Sequence, residues 1–326
     1  MLLAIDGTNL IHRSFHAMPR LSSQGRPTGA TKGFAMKLLQ LLQRFNPEFC
    51  LVVVDTPHPE HGMFRQRLWP GYKADRKPKD AALLAQFEDC RRVTEACGVR
   101  WIESCGFEAD DVIAEAVRIG PGTEPHHVGP ANRFGTRLVF SSDSDLWVLT
   151  DDPKIAILSP AEENWPLCQG ELEERLGYPV HRLTLATAIS GGHNGVPGVP
   201  GLGEKAATVI AGAFTGWYDL LEAVDGVGFV RRILAHLDSI DRTDHLAAER
   251  WLKKLRAHRE QLRLSYGLAT LGFFGELDRG EIGPPLGDLR RRPGSVSEMM
   301  KLWRSLTFSA PTPEQVATIS QLEWCR

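Results

Sequence analysis

The chain has 326 residues, 42% of them apolar, enough to bury a large core in two domains or one elaborated one. Its 38 basic residues against 40 acidic ones give a formal net charge of −2, which excludes a uniformly basic nucleic-acid coat and leaves local patches for any such contact. Cys50, Cys90, Cys97, Cys105, Cys168 and Cys325 form no C-x-x-C pair, no apolar run can span a bilayer and the N-terminus is no signal peptide, so a reduced cytoplasmic protein is expected.

Leu2-Leu-Ala-Ile5 is a short apolar run ending in Asp6-Gly7, the pattern of a buried parallel strand with a carboxylate at its C-terminal end. Thr31 to Phe45 has helical spacing, through Phe34, Ala35, Leu38, Leu39, Leu41 and Leu42. Phe49-Cys-Leu-Val-Val-Val54 is a second buried strand, and it ends in Asp55. A basic tract follows, in which Arg65, Arg67, Lys73, Arg76, Lys77 and Lys79 interleave with Phe64, Trp69 and Tyr72. Aromatics among cations suit stacking on bases and gripping phosphates. Arg100-Trp-Ile102 reads as a third strand. After it, Gly106-Phe-Glu-Ala-Asp-Asp-Val112 places Glu108, Asp110 and Asp111 ahead of a helical run through Val112, Ile113, Ala116 and Val117. One carboxylate suffices to complement a helix dipole. A group of them repels itself unless cations sit among them.

Residues 120–136, rich in Gly, Pro and His, read as an exposed loop with His126 and His127 on its surface. Arg137-Leu-Val-Phe140 is a fourth strand running into Ser141-Ser-Asp143-Ser-Asp145, and Lys154 to Leu158 a fifth. Strands alternating with helices predict a doubly wound, mainly parallel α/β domain. Asp6, Asp55, Glu108, Asp110, Asp111, Asp143 and Asp145 then converge on one sheet edge, an oxygen-rich cradle suited to Mg²⁺ or Mn²⁺ and to two-metal phosphodiester chemistry. In the second half strand-like runs disappear. Gly198-Val-Pro-Gly201-Leu-Gly203-Glu-Lys205 is a tight turn between helices whose exposed N–H groups can dock a phosphate. Leu252 to Leu271 is expected as one helix with a basic polar face, and beyond Phe274 no chemistry is legible.

These pieces resemble the 5′-nucleases: the N-terminal domain of bacterial DNA polymerase I, the phage 5′-exonucleases and the flap endonucleases. The matching segments are Asp6-Gly-Thr-Asn-Leu-Ile-His-Arg13 with Ala17, Asp55, Phe64-Arg65, Tyr72-Lys-Ala-Asp-Arg76, Gly106 to Asp111, Asp143-Ser-Asp145, Pro197 to Lys205 and His258 to Leu271, in the family's order over residues 1–272. The resemblance implies a PIN-like α/β nuclease domain with a helical arch (residues 1–165), a helical helix–3-turn–helix DNA-binding region (166–275) and an extension of unknown role (276–326). It implies a stand-alone, structure-selective 5′-3′ exonuclease or flap endonuclease of DNA replication or repair, expected as a monomer, that cuts DNA at single-strand/duplex junctions with Mg²⁺ or Mn²⁺. Asp6, Asp55, Glu108, Asp110 and Asp111 match the first metal site, and Asp143 and Asp145 part of the second. Lys73 and Arg76, with Asp111, are the implied catalytic set. Arg13, Arg65 and Tyr72 join Lys73 and Arg76 as DNA contacts, together with Gly198, Gly201, Gly203 and Lys205 of the hairpin, which in the family often carries K⁺.

The chain departs from the pattern at one place. Two further acids of the family fall on Gly191 and Asn194, so the second metal site is expected to be weak, and Gly191→Asp with Asn194→Asp is expected to strengthen it. His193 between them would tilt a weak site towards Mn²⁺. The departure also motivates a second reading, a DNA-junction-binding protein with weakened or lost catalysis. A ribonuclease of the wider PIN group is a third reading, and the basic arch and hairpin argue against it. Asp111→Asn is expected to abolish cleavage while leaving stability unchanged or higher, because it removes one of several repelling charges.

Overall fold

A computed structural model describes residues 1–58, 60–119, 137–162, 166–192, 195–240, 247–272, 288–306, 308 and 312–320. His126, His127, His193, Asn194 and Cys325 lie outside them. The first half is built on a five-stranded sheet of β1 (Leu2–Asp6), β4 (Phe49–Val54), β5 (Arg100–Glu103), β6 (Arg137–Phe140) and β7 (Ile155–Leu158), in the order β5-β4-β1-β6-β7. All four neighbouring pairs are parallel. A two-residue hairpin of β2 (Ser22–Ser23) and β3 (Arg26–Pro27) stands apart from it.

The side-chain alternation of a strand divides the sheet between two cores. Leu3, Ile5, Cys50, Val52, Leu138 and Phe140 pack under α2 (Gly29–Phe45) and α5 (Phe87–Ala96). Leu2, Ala4, Leu51, Val53, Val139 and Ile157 pack under α6 (Ala109–Ile119). Both faces are covered, which is why these strands read as unbroken apolar runs. Helix α2 buries the periodic residues expected of it and stops at Asn46, whose left-handed backbone (φ 40°) turns its N–H back to the Leu42 carbonyl.

The second half is all helix: α8 (Leu183–Ser190), α9 (Glu204–Ala213), α10 (Trp217–Asp225), α11 (Phe229–Ser239), α12 (Ala247–Ala257) and α13 (Arg259–Ala269) around their own apolar core. The single helix expected over Leu252 to Leu271 is two, broken at His258 (φ −118°, ψ 33°). The break has a packing reason. Leu255 of α12 is buried, as are Leu262, Ser265 and Leu268 of α13, and α12 packs against α10 and α11 whereas α13 lies along α8. One straight rod cannot serve both.

Part of the C-terminal extension is described and belongs to the sheet domain. The Leu289 carbonyl accepts the Cys50 N–H (3.0 Å), Arg290 bridges Phe49, and Arg292 N–H reaches the Gly98 carbonyl (2.9 Å). Helix α14 (Val296–Ser305) then adds Met299, Leu302 and Trp303 to the core shared with α2 and α5. Among the described residues no helix is long and apolar enough to cross a membrane.

Candidate active site

The chain runs from β1 outwards through β4 to β5, then returns to the other side of β1 for β6 and β7. The C-terminal end of β1 is therefore where strand order reverses, the place where ligands of open α/β sheets bind. Asp6 closes β1 there, Asp55 follows β4, Asp110 opens α6 after β5, and Asp143 follows β6. Each is held by local hydrogen bonds that the sequence sets up. Asp6 accepts the Asn9 N–H (2.9 Å) and the Ser141 hydroxyl (2.8 Å), and that same hydroxyl accepts the Asp143 N–H (3.0 Å). The Thr8 hydroxyl accepts the Asp55 N–H (2.8 Å), and the Asp55 carboxylate in turn caps α6 by accepting the Ala109 N–H (2.7 Å). Asp145 sits half-buried two residues on, its N–H on the Asp143 carboxylate (2.9 Å).

Electrostatics show that these acids face one another. Burial, reinforced by Asp55 and Asp143, raises the Asp6 pKa to about 7 against the opposing bonds from Asn9 and Ser141. Burial, with repulsion from Asp6, Asp143, Asp55 and Glu108, raises that of Asp110 well above the ordinary carboxylate range. Among the described residues no set of acids, histidines and cysteines stands in a ready-made ligand shell. The donor chemistry still fits a hard divalent cation, since every facing group is a carboxylate and the cluster is short of positive charge.

The sign of the pH dependence follows. A carboxyl whose folded pKa lies above its unfolded value binds more protons when folded, so stability falls as pH rises between the two. For Asp6 that window runs from 3.8 to about 7. The metal-free protein is expected to melt at progressively lower temperature across that window in EDTA, and Asp6→Asn to flatten the decline. An unchanged profile in the variant would show that Asp6 does not carry the shift.

Asp111 behaves differently from Asp110, because consecutive helical residues point about 100° apart. It is 2% exposed and turns away from the cluster towards Arg65. Its Oδ1 accepts Arg65 Nη2 (2.8 Å) and the Gly272 N–H (2.9 Å), and its Oδ2 accepts Arg65 Nη1 and the Glu108 N–H (3.1 Å). Both oxygens expected to ligate a metal or act in catalysis are thus engaged within the protein. The expectation that Asp111→Asn leaves stability untouched is corrected by the same contacts: the change leaves the buried Arg65 cation without its counter-charge.

The basic tract splits between the interior and the edge. Arg65 and Tyr72, expected on DNA, are 5% and 4% exposed, and the Tyr72 hydroxyl donates to Glu108 (2.8 Å). Burial, then Glu108, pushes the Tyr72 phenol above its ordinary range. Lys73 extends its ammonium to Glu108 and over the Tyr72 ring (5.0 Å), so Lys73 and Glu108 meet at the edge of the acid cluster. Its backbone is left-handed (φ 55°), a conformation unfavourable by about 1–3 kcal/mol for a residue with a Cβ, and its amide lies against Gly195, where a Cβ would sit 2.6 Å away. Arg76 and Arg13 are exposed. His12, which the sequence reading leaves without a role, is half-buried on α1 (Gly7–Ala17); burial and the nearby charges of Lys79, His16 and Arg76 lower its pKa. Ser141, Thr8 and Asn9 were missed too, because their small polar side chains carry no signal until the strands are aligned.

In the hairpin between α8 and α9, Gly198 is buried and Gly201, Gly203 and Lys205 are exposed. Gly198 donates its N–H to Ser265 (3.1 Å) and its carbonyl accepts Gln261 Nε2 (2.9 Å), while Lys254 Nζ sits on the Gly201 carbonyl (2.6 Å). Gly191, at the end of α8, has φ 80° and ψ 169°, a region open in practice only to glycine, and a Cβ there would lie 3.0 Å from the Val196 carbonyl oxygen. The expectation that Gly191→Asp strengthens a metal site is therefore revised. That substitution alone is expected to lower stability by about 1–3 kcal/mol in a denaturant titration, and unchanged stability would mean that the loop has a second conformation.

A family model described as 5′-3′ exonuclease, N-terminal resolvase-like domain, matches residues 1–177. The chain belongs to the 5′-3′ exonuclease family. Within that family it is 31% identical to DNA polymerase I of Pseudomonas aeruginosa over 280 residues, 85% of this chain and 28% of that one. It is 26% identical to a 5′-3′ exonuclease of Aquifex aeolicus over 276 residues, 83% of this chain and 81% of that one. The chain spans about 28% of the length of the DNA polymerase I relatives of Thermus filiformis and Pseudomonas aeruginosa. Among solved structures, that of the T5 5′-exonuclease with bound divalent zinc ions shares the fold, with a TM-score of 0.60 at 19% identity over 98% of each chain.

Proposed function

We propose that this protein is a structure-selective 5′-3′ exonuclease and flap endonuclease that hydrolyses DNA phosphodiesters near single-strand/duplex junctions with the aid of divalent metal ions. The observation that carries the proposal is the set of acids delivered to the switch point of the sheet by separate strand ends, Asp6, Asp55, Asp110 and Asp143, among which burial and the neighbouring carboxylates raise the pKa of Asp6 and of Asp110. Family membership and the 5′-3′ exonuclease of Aquifex aeolicus support it. Asp6, Asp55, Asp110 and Asp143, with Glu108 and Asp145 alongside, would hold Mg²⁺ or Mn²⁺. Bound there, such an ion supplies Lewis-acid polarisation of the phosphoryl oxygens. Lys73 adds a positive charge fixed on Glu108 at the same edge, where it can meet the charge that develops on the phosphate. Arg76 and Lys79 extend the positive surface for backbone phosphates without base preference. The exposed start of α9, at Gly203 and Lys205, offers backbone N–H groups to a duplex strand. A potassium ion at the hairpin has no part in this proposal, because Lys254 and Gln261 already occupy the Gly201 and Gly198 carbonyls.

A 5′-flap substrate incubated with the purified protein in Mg²⁺, in Mn²⁺ and in EDTA tests the reading. Incision next to the junction in either metal and none in EDTA is the expected result. Tight flap binding without incision at any metal concentration would replace it by the second reading, a junction-binding protein. The glycine-only backbone at Gly191, where the family carries an acid, is the observation favouring that alternative.

A further inference from the structure

We infer that Arg65 and Asp111 form a latch that fixes how far the DNA-holding hairpin stands from the acidic edge, making Arg65 a positioning residue rather than a phosphate contact. The inference rests on the nuclease reading above.

Arg65 lies in the short helix α3 (Phe64–Leu68), yet its guanidinium joins three other elements. Nε donates to the Leu268 carbonyl (2.8 Å) and Nη2 to the Thr270 carbonyl (3.1 Å), both at the C-terminal end of α13. The last carbonyls of a helix have no partner within it and carry the negative end of its dipole, so a buried cation is well placed there. The other side of the same guanidinium holds Asp111 in a fork-to-fork pair and reaches Glu108 (3.3 Å). Asp111 completes the ring by accepting the Gly272 N–H (2.9 Å), and Arg118 of α6 donates to the Leu271 carbonyl (3.2 Å). Burial works against the Arg65 charge, but Asp111, with Glu108 and Tyr72, outweighs burial and keeps the guanidinium ionised.

Helix α13 is the rod that connects the two halves of this arrangement. Near its start, Gln261 and Ser265 bind both backbone groups of Gly198 in the hairpin. Its last turn is fastened through Arg65 to the helix that carries Asp110. From Gln261 to Leu268 is about 10 Å at the helical rise, and the rod does not stretch. A duplex strand held at the hairpin is thereby kept at one distance from the acids, and that distance selects which phosphodiester reaches them. Lysine cannot reproduce the latch, because a point charge on a flexible stem cannot make the planar fork to Asp111 and the Nε bond together.

The parent, Arg65→Lys, Asp111→Asn and the double variant should be compared on one 5′-labelled flap. Affinity is read in EDTA, and single-turnover rate and product lengths at saturating protein and Mg²⁺. A latch predicts a dissociation constant within about threefold of the parent, a saturating rate reduced about tenfold or more, and incision spread over neighbouring phosphodiesters. It also predicts a double variant no worse than the poorer single one, since both changes break one unit. A parental rate at saturation with a weakened dissociation constant would make Arg65 a phosphate contact and overturn the inference. Parental rate, affinity and product lengths together would reduce the pair to core packing and overturn it as well. If the parent itself does not cleave, the nuclease reading fails, and the latch is judged by hydrogen exchange at the Gly272 amide. Exchange faster by about tenfold in both single variants supports it, and parental exchange overturns it.

Discussion

Asp110→Asn is expected to reduce incision by on the order of 10³-fold, the scale of several kcal/mol of lost charge stabilisation, while raising the stability of the metal-free protein. Asp110 is the acid that faces most of the others: Asp6, Asp143, Asp55 and Glu108 all push its pKa up, after burial itself. An ionised Asp110 is therefore unfavourable in the folded protein until a cation arrives. The amide keeps the shape, removes the charge and leaves fewer repelling pairs, so thermal melts in EDTA should move upwards at neutral pH. Flap binding in EDTA should stay within a few fold. The paired readout separates a functional acid from a structural one. If Asp110→Asn melts earlier and also stops cutting, the cluster is part of what holds the fold. Asp111→Asn, one residue on, is expected to move stability the opposite way, because it strips a buried arginine of its partner.

Lys73→Ala is expected to slow single-turnover cleavage by on the order of 10²-fold, as removing a preorganised charge at the reacting group does. Lys79→Ala is expected mainly to reduce the salt dependence of DNA binding. The two lysines belong to one tract but stand in different places. Lys73 is pinned to Glu108 and packed over Tyr72, with its backbone forced left-handed against Gly195. Lys79 lies over the Phe87 ring (5.5 Å), further along the outer surface. Losing Lys73 also leaves Glu108 with one cation fewer, at a cost of about 1–3 kcal/mol for a largely buried group. Equal effects of the two substitutions on rate would show that the fixed charge at Glu108 has no special place in the reaction.

Local pattern accounts for much of the sheet half of the chain. Short, largely apolar runs were enough to place β1, β4, β5, β6 and β7 to within a residue at each end, and those of β1 and β4 run straight into an acid. The reason is that β1 and β4 are buried on both faces and bring in a charged residue only where they leave the sheet, at the ligand edge. The converging acids were legible for the same reason. Spacing alone could not decide direction. Asp110 and Asp111 are equivalent in the sequence, and the helix sends one into the cluster and the other to Arg65. Arg65, Tyr72 and Lys73 likewise read as one cationic and aromatic tract. Only packing against the end of α13 made Arg65 and Tyr72 interior groups and left Lys73 at the edge, because a buried guanidinium needs several acceptors that arrive from distant parts of the chain. The break at His258 and the glycine-only backbone at Gly191 were hidden in the same way. Both are set by which neighbours a segment must touch, and the chain order does not contain that until distant segments are packed together.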